Sequence, residues 1–322
     1  IPPMSPQRQL RQFAKRAVPR PLLISTWAAY CRLKARQARR VFARAGQTPA
    51  FLGMAELDAL QRAYPLDPMT YKYDDASLAA RGRERAATML GYVRREAGGL
   101  LRFLDLGMWD GMTCAALQAM GKTAVGVDIR VEGLDPRAAG SGAAFAGMDA
   151  AHLGFPDGSF DFVFSFNSFE HFPDPEAVLR EALRVLRPGG YLYLDFGPVW
   201  LSPKGAHQFQ TISVPYVECL FTKETLTAYA AKRGIKLMGY FWMNEWPLHR
   251  YRDLWARYAG QLERVAYYET YNADHVDLVA RYPTCFRAKT ADFDDLIVAN
   301  IEALFRRKVE HGQGVEETPM AD

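Results

Sequence analysis

The sequence has few cysteines and no long apolar run, and each shortage excludes a class of protein. Its four cysteines, Cys31, Cys114, Cys219 and Cys285, lie far apart and form no CxxC pair. This spacing argues against a zinc site or a disulfide framework and is typical of a reducing compartment. The apolar stretch 21–31 is only about half as long as a membrane-spanning helix. We therefore expect a cytoplasmic protein with no transmembrane segment and no metal.

Acidic residues are missing from the first 55 positions, which contain eleven Lys or Arg, whereas the rest of the chain has 29 basic and 36 acidic residues. Basic and apolar residues alternate between Arg32 and Arg44, which predicts a basic amphipathic helix. Residues 1–45 could rest on an anionic membrane surface or on RNA, or pack as a solvated helix on the acidic body. Transit peptides share this composition. The chain opens with Ile1 rather than Met, so we expect that it is trimmed, and no signal peptide is visible.

The 322 residues are 49% hydrophobic and 24% charged, which is typical of a globular protein. Short strands alternate with helices from about Leu100, which predicts a parallel sheet with right-handed crossovers. The predicted strands are 101–106, 124–128, 160–166, 191–197 and 235–244, with a closing strand at 293–306. The predicted helices are 77–93, 112–120, 174–187 and 223–233. The predicted units are a basic helical arm (1–68), a core (69–244) with a substrate loop (198–222), a helical cap insertion (245–290), and a closing strand with an acidic tail (291–322).

One segment has the residues of a ligand site. In Leu104–Gly111 a strand runs into a glycine turn and then a helix, so that the backbone can approach a ligand and free N–H groups face it. Asp128 stands 23 residues after Asp105, at the end of the next strand. An acid there is placed to accept hydrogen bonds from both hydroxyls of a ribose. These residues alone leave open a nucleotide-type site or an ordinary strand-to-helix turn.

Three further motifs follow in order: 148–165 (MDAAHLGFPDGSFDFVFS), Glu170-His171, and 186–190 (LRPGG). Together with the glycine turn they closely resemble the class I S-adenosylmethionine-dependent methyltransferases, in their small-molecule branch, over about residues 85–200. The resemblance implies an α/β, Rossmann-like fold: a mostly parallel seven-stranded sheet with helices on both faces, here joined to the N-terminal helical arm and the inserted helical cap.

The resemblance also implies a cofactor, S-adenosylmethionine, with S-adenosylhomocysteine as the product. It places the cofactor's amino-acid part at Asp105, Gly107 and Gly111, and its ribose at Asp128. The adenine would lie at Met148, Asp149 and Ala150, and Asn167 would lie near the reactive methyl. The sequence departs from the family at Trp109, where a third glycine is usual. Trp109 could stack on the cofactor or cover it, and the lack of G-x-G-x-x-G also weakens a dehydrogenase interpretation.

A base must titrate near working pH within reach of the acceptor's proton, which favours histidine. We predict His207 and His171 as the catalytic residues, because both follow core strands at the end where substrates bind. The alternatives are a loop-ordering contact for His207 and a structural hydrogen bond for His171. The predicted acceptor-binding residues are Tyr73, Trp200, Trp246, His249 and Arg250, whose aromatic members could instead be ordinary core.

The function that these features favour is methylation of a small molecule or of a glycan or lipid precursor, at oxygen first, with nitrogen and sulfur open. Phe166-Asn167-Ser168-Phe169 differs from the Asn/Asp-Pro-Pro-aromatic motif of nucleobase amino methylation. Nucleic acid is not expected as a partner, since no recognisable binding motif accompanies the basic arm. The alternatives are a methyltransferase of RNA or protein, and a non-catalytic scaffold or sensor that keeps the fold.

Overall fold

The computed structural model describes residues 19–66, 73–208, 210–237 and 242–309. The acidic tail and part of the predicted strand 235–244 lie outside these ranges. The strands are β1 (Arg102–Leu106), β2 (Thr123–Asp128), β3 (Ala144–Gly147), β4 (Phe160–Phe166), β5 (Leu186–Phe196), β6 (Leu262–Tyr271) and β7 (Val298–Arg307). They form one seven-stranded sheet in the order β3-β2-β1-β4-β5-β7-β6.

Five of the strands run parallel, and β7 and β6 complete the sheet in antiparallel pairs. Every residue of β4 is buried, as expected for a central strand covered on both faces. Phe162 and Phe164 are fully buried, and each contributes about 1.5–3 kcal/mol by leaving water. The predicted α/β fold with a mostly parallel seven-stranded sheet is therefore confirmed.

The helices lie in three groups along the chain. The arm contains α1 (Arg20–Lys34), α2 (Arg36–Arg44) and α3 (Met54–Ala63). The core contains α4 (Asp75–Tyr92), α5 (Met112–Ala119), α6 (Pro136–Ala139), α7 (Pro175–Val185), α8 (Val217–Leu220) and α9 (Lys223–Arg233). The C-terminal part contains α10 (Leu248–Arg257), α11 (Val276–Arg281), α12 (Pro283–Arg287) and a 3-10 turn (Phe293–Leu296). None of the described helices is long and apolar enough to cross a membrane.

The helix signals act as the sequence predicts. Asp174 accepts hydrogen bonds from the backbone N–H groups of Glu176 and Ala177, at 3.1 and 3.0 Å, and so caps α7. Pro175 occupies the first position of that helix, where its missing N–H costs nothing. The helix ends at Val185, because β5 begins at Leu186 and not at the predicted Tyr191.

Two predictions for the C-terminal part need correction. Segment 245–290, predicted to be mainly helical, contains the ten-residue strand β6, which pairs with β7 at the edge of the sheet. Residues 235–237 and 243–244, predicted as strand, have no regular structure. The predicted closing strand is present as β7, after the 3-10 turn.

The arm packs on the edge strand and on the C-terminal helices. The indole Nε1 of Trp27 donates to the carbonyl oxygen of Tyr271 at 2.7 Å. Arg20 forms an ion pair with Glu302 in β7, and Lys34 pairs with Asp274 at 3.0 Å. The described arm residues thus form helices that pack on the body of the protein. A packed helix was one of the alternatives predicted from the sequence.

Strand order sets the position of a ligand crevice. The chain moves from β1 outward through β2 and β3, then returns to the other side of β1 with β4 and β5. In open α/β sheets a crevice forms at such a switch point, beyond the carboxyl ends of the strands. The crevice expected here therefore lies between the ends of β1 and β4.

Candidate functional site

The turn after β1 needs glycine at two positions. Gly107 and Gly111 have φ of 78° and 70°, in the left-handed region that side chains disfavour. A Cβ atom on Gly107 would also collide with the side chain of Ser168, which follows β4. The hydroxyl of Ser168 donates to the carbonyl oxygen of Gly107 at 3.1 Å. The turn therefore lies directly against the end of β4, at the predicted switch point.

The backbone of Trp109 adopts a left-handed conformation that is typical of glycine. Its φ is 47°, a conformation that costs a non-glycine residue about 1–2 kcal/mol. Its ring packs on the backbone of Gly133, in the loop that follows β2, and 51% of the residue stays exposed. The bend that the family makes with a third glycine is thus present here, with an indole ring added at its outer edge.

Asp128 ties this turn to the end of β2. Its carboxylate accepts from the backbone N–H of Trp109 at 3.2 Å and from that of Arg130 at 3.0 Å. The side chain is half-buried, and a carboxylate has lone pairs beyond the two used here with which to accept further hydrogen bonds. Exposed apolar side chains adjoin it, since Ile129 and Val131 are 71% and 43% exposed. A carboxylate beside an apolar rim suits a ribose joined to a flat base.

The residues predicted to hold the adenine follow β3. The backbone N–H of Met148 donates to the carbonyl oxygen of Asp128 at 2.8 Å, which joins the ends of β3 and β2. Ala150 is buried, and Asp149 is exposed with its carboxylate accepting from the backbone N–H of Ala151 at 2.9 Å. We call residues 105–111, 128–131 and 148–150 the cofactor half of the site.

Asp105 is buried behind the turn. Burial raises the pKa of this carboxyl to about 8, while the charge of Arg85 on α4 opposes that rise. The Arg85 guanidinium lies 4.7 Å from the ring centre of Phe166, at the end of β4. Sequence reasoning missed Arg85, because nothing local marks an arginine of a helix that precedes the motif.

The cofactor half fits the cofactor that the resemblance implies. The glycine turn gives close backbone approach, and the buried Asp105 carboxyl has few cations near it besides Arg85. A ligand with a positive charge would complement that carboxyl, and S-adenosylmethionine carries an ammonium and a sulfonium. Asp128 would hold the ribose and Met148, Asp149 and Ala150 the adenine.

Three loops form the other half of the site. Residues 167–172 follow β4, residues 197–222 follow β5, and residues 242–246 cover the first loop. Asn244 donates through its backbone N–H to the carbonyl oxygen of Glu170, and through its side chain to that of Phe169, both at 3.0 Å. Asn167 has φ of 50° and donates its N–H to the carbonyl oxygen of Asp195 at 2.8 Å. We call these three loops the acceptor half.

The two predicted catalytic histidines are brought together in the acceptor half. The ring centres of His171 and His207 lie 5.1 Å apart in an edge-to-face arrangement. Nδ1 of His171 lies 3.0 Å from the carbonyl oxygen of Trp242, and Nε2 of His207 lies 3.2 Å from that of Pro198. Carbonyl oxygens only accept, so these nitrogens carry the protons and each ring keeps one lone pair, on Nε2 of His171 and on Nδ1 of His207.

Burial governs the titration of this pair. It lowers the pKa of His171, and it lowers that of His207 to about 3, with the charge of His171 as a second cause. Both rings are therefore neutral at physiological pH. Behind them lies Glu170, which is 1% exposed and has one carboxylate oxygen 4.0 Å from Nε2 of His171. Burial raises the pKa of Glu170 to about 8.

The predicted acceptor-binding residues have different surroundings. Trp200 and Trp246 are 8% exposed each, and the Arg250 guanidinium stacks 4.1 Å from the Trp246 ring centre. His249 is held by the buried Asp295 carboxylate, with Nδ1 2.8 Å from it, so this histidine orders the start of α10. Tyr73 is 53% exposed and lies beside the cofactor half.

The contact that holds Tyr73 there runs through α4. The Arg81 guanidinium is 5.8 Å from the Tyr73 ring centre and donates to the carboxylate of Asp110 in the glycine turn at 3.3 Å. Sequence reasoning missed Trp242, whose ring stacks on the Arg130 guanidinium at 4.9 Å and so bridges the two halves. Ile129 was missed too, although its place directly after Asp128 could have indicated it. The described residues contain no group of three side chains able to hold a metal ion.

Part of the chain is similar to known proteins. Residues 104–194 match a family model described as a methyltransferase domain. An uncharacterized methyltransferase from Mycobacterium sp. (strain KMS) is 40% identical over 111 residues, which cover 33% of this chain and 42% of that protein. Methyltransferase GfsG from Streptomyces halstedii is 34% identical over 154 residues, which cover 42% of this chain and 53% of that protein.

The chain thus spans about half the length of the curated relatives that it matches. Among solved structures, an S-adenosylmethionine dependent methyltransferase from Mesorhizobium loti aligns with a TM-score of 0.41 and 19% identity. That alignment covers 64% of this chain and 91% of the other.

Proposed function

The chain carries a domain of the class I S-adenosylmethionine-dependent methyltransferases, and from this premise we propose that it methylates an oxygen of a small-molecule acceptor, which includes glycan and lipid precursors. One observation carries the proposal. The glycine turn with Asp128 and the pair formed by His171 and His207 lie at the same switch point, where Ser168 and Trp242 join the two halves. In this proposal the cofactor-binding and proton-accepting groups border one crevice.

In this proposal the cofactor half binds and orients. Asp128 accepts hydrogen bonds from the ribose hydroxyls, and Asp149 accepts one from the adenine amino group, with Met148 and Ala150 on the faces of the base. Asp105 and the turn from Gly107 to Gly111 hold the amino-acid part. Trp109 covers the turn from the solvent side, since its ring already packs on the following loop. Asn167, which follows β4, borders the reacting centre.

When bound, S-adenosylmethionine supplies a methyl group that its sulfonium makes electrophilic. The chain then has two tasks: to hold the acceptor oxygen in line with that methyl and to take up the proton that the oxygen loses. The lone pairs of His207 Nδ1 and His171 Nε2 are available for the proton, because both rings are neutral. Trp200 and Trp246 exclude water, while Tyr73, His249 and Arg250 border the acceptor.

Calorimetric titration of S-adenosylmethionine and S-adenosylhomocysteine into the full chain, with NADH as the control, tests the proposal. We expect both to bind and NADH to give no heat of binding. Acceptors are then screened by release of S-adenosylhomocysteine. Absence of cofactor binding would contradict the proposal and favour a non-catalytic scaffold, and turnover confined to RNA or protein would replace the acceptor class.

We further propose that the arm attaches the protein to an anionic membrane surface. Leu22, Tyr30 and Leu33 are 56%, 52% and 67% exposed, and their spacing puts them on one outward face of α1. Arg36 and Arg40 share one face of α2 and form no ion pair within the described part of the chain. Exposed apolar side chains beside unpaired arginines suit acyl chains beside anionic headgroups.

Co-sedimentation with phosphatidylcholine vesicles, with and without phosphatidylglycerol, tests the arm. Each basic residue near such a surface contributes about 1 kcal/mol, so replacing Arg36, Arg40 and Arg44 by Gln should weaken binding to the anionic vesicles about 100-fold. Arg83→Gln, Arg94→Gln and Arg95→Gln, on another exposed surface, form the matched control and should change binding little. Equal sedimentation of the two triple variants would contradict the proposal.

A further inference from the structure

A buried carboxyl behind the catalytic pair has no side-chain hydrogen-bond or ion-pair partner among the described residues. Glu218, on α8, is 1% exposed, and its carboxylate oxygens have no side-chain partner; the backbone N–H groups of Leu201 and Glu218 lower its pKa, against the larger effect of burial. Asp161, another buried acid, accepts hydrogen bonds from the backbone N–H groups of Leu101 and Arg102 and from the Arg187 guanidinium. An unpartnered buried polar group costs several kcal/mol and so needs an explanation.

The Glu218 carboxyl faces a small cavity that it shares with His207. The cavity has a free volume of about 10 Å³, room for about one water molecule. Its other polar lining residues are Lys204, Gln208 and Ser213. Beyond His207 the ring of His171 follows, at 5.1 Å between centres. The order from the methyl region inward is therefore His171, His207, the cavity and Glu218.

The pKa values of Glu218 and His207 stand in the reverse of their ordinary order. Burial raises the pKa of Glu218 to about 8 and lowers that of His207 to about 3. A histidine with so low a pKa accepts a proton but does not keep it, unless a negative charge nearby stabilises the imidazolium. The ionised Glu218 carboxylate is such a charge, and its basicity lies near working pH, where a proton acceptor is most effective.

We propose that Glu218 is the positioning residue for His207, and that the two together hold the proton that the acceptor loses. This inference rests on the proposed methyl transfer. S-adenosylmethionine, held by the cofactor half, would supply the methyl group that replaces the hydrogen of the acceptor O–H group, and Nδ1 of His207 takes up the released proton. The carboxylate of Glu218 compensates the imidazolium charge across the cavity. The proton then returns to solvent when the product leaves.

The other titratable groups around Glu218 do not change its proposed role as the positioning residue for His207. Lys289 lowers the pKa of the carboxyl, against the larger effect of burial. Cys219 and Tyr216 lie close in the chain, but burial raises both of their pKa values well above the ordinary ones, so both stay neutral. Lys204 lines the cavity and is exposed to solvent.

The test is a pH titration of the histidine ring signals by NMR in the full chain without cofactor, with His207→Gln to assign the signal. We expect the His207 signal to shift with a midpoint near pH 8, as Glu218 ionises. Glu218→Gln should abolish that shift, and Glu218→Asp should restore it. The signal of His152, whose side chain is 82% exposed, should be the same in all variants.

Glu170→Gln is the matched control. Glu170 is equally buried and also has a pKa raised to about 8, but it adjoins His171, so its variant should leave the His207 shift unchanged. Persistence of the shift in Glu218→Gln, or its loss in Glu170→Gln, would overturn the proposal. This readout needs neither cofactor nor acceptor, so its failure is distinct from a failure to bind S-adenosylmethionine.

Once an acceptor is known, the dependence of kcat on pH provides a kinetic test. In the wild type, kcat should rise with pH through about 8, because the pair must be free of its proton. Glu218→Gln should lower kcat and flatten this rise, with KM for S-adenosylmethionine unchanged. If kcat of the variant rose with pH as it does in the wild type, Glu218 would only support the loop. The fold of the Glu218→Gln variant is checked near pH 6, where the wild-type Glu218 carboxyl is itself uncharged.

Discussion

The two halves of the site are built in different ways. The cofactor half comes from one continuous stretch of chain, residues 105–150, in which each strand end delivers its residues to the same crevice. The acceptor half comes from three stretches that meet only in the folded protein, and Asn244, which joins two of them, lies 74 positions after Glu170. A binding site made locally can be recognised by motif, whereas one assembled from distant loops cannot.

The halves also differ in how they use burial. In the cofactor half a buried acid, Asp105, lies behind a turn, and the acid that would contact ligand, Asp128, stays half-exposed. In the acceptor half, burial acts on the reactive groups themselves, because it lowers the pKa of His207 and raises that of Glu170. In the proposed function the first half binds the cofactor and the second handles a proton. Variants that affect one half alone test this division.

The largest expected effect is on the acceptor half. His207→Gln should lower kcat about 10²- to 10⁴-fold, the range that a positioned acid or base contributes. S-adenosylmethionine affinity should be unchanged, because no described contact joins His207 to the cofactor half. Release of S-adenosylhomocysteine and calorimetric titration measure the two effects. Normal turnover with the true acceptor would remove His207 from the mechanism, and His275→Gln is the control, since that ring packs against Tyr64 outside both halves.

A smaller effect is expected on the cofactor half. Asp128→Ala removes charge-assisted hydrogen bonds to the ribose, each worth about 1.5–3 kcal/mol, so S-adenosylmethionine should bind at least about 10-fold more weakly. Calorimetry measures this change, and circular dichroism checks the fold, because Asp128 also accepts two backbone N–H groups of the turn. Asp135→Ala, at the start of α6, is a control for a lost acidic cap. Unchanged affinity in Asp128→Ala would contradict the ribose assignment.

The smallest effect concerns stability and pH. Burial raises the folded-state pKa of Glu170 from 4.5 to about 8, so the folded protein keeps a proton that the unfolded chain loses. This contribution to stability is complete at low pH and disappears as the pH rises through about 8. Glu170→Gln should therefore match the wild type near pH 5 and be more stable near pH 9, by about 1 kcal/mol or more. Thermal melts at both pH values measure the difference in stability between the variant and the wild type. The same difference at pH 5 and at pH 9 would contradict the prediction.

Much of the core could be predicted, because its signals are local. The strand β4 is continuous and apolar, the cap at Asp174 is a short motif, and the glycine turn with Asp128 has a fixed spacing. Strand β6 was missed because it lies at the sheet edge. Its residues are mostly half-buried or exposed and include Glu263, Arg264 and Glu269, so the apolar pattern that indicates a strand is weak.

The arrangement of the acceptor half could be predicted only in part. His171 and His207 were identified because each follows a core strand, but their contact depends on how loop 197–222 folds back. Glu218 gave no signal, since a single acid in an apolar stretch reveals neither its burial nor the cavity beside it. Burial and long-range contact are properties of the folded chain, which explains why a local glycine turn is easier to predict than a contact between two loops.

The central claim is that the reactive methyl faces the acceptor half while the cofactor is held by the other half. NMR with S-adenosylmethionine carrying a ¹³C-labelled methyl group tests it directly, through nuclear Overhauser effects from that methyl to side chains. The account predicts contacts from the methyl to His171 and Asn167, lost on denaturation and absent with excess unlabelled S-adenosylhomocysteine. Methyl contacts to Ile129 or Val131 in their place would show that the reacting end lies where the adenine is assigned, and would contradict the account.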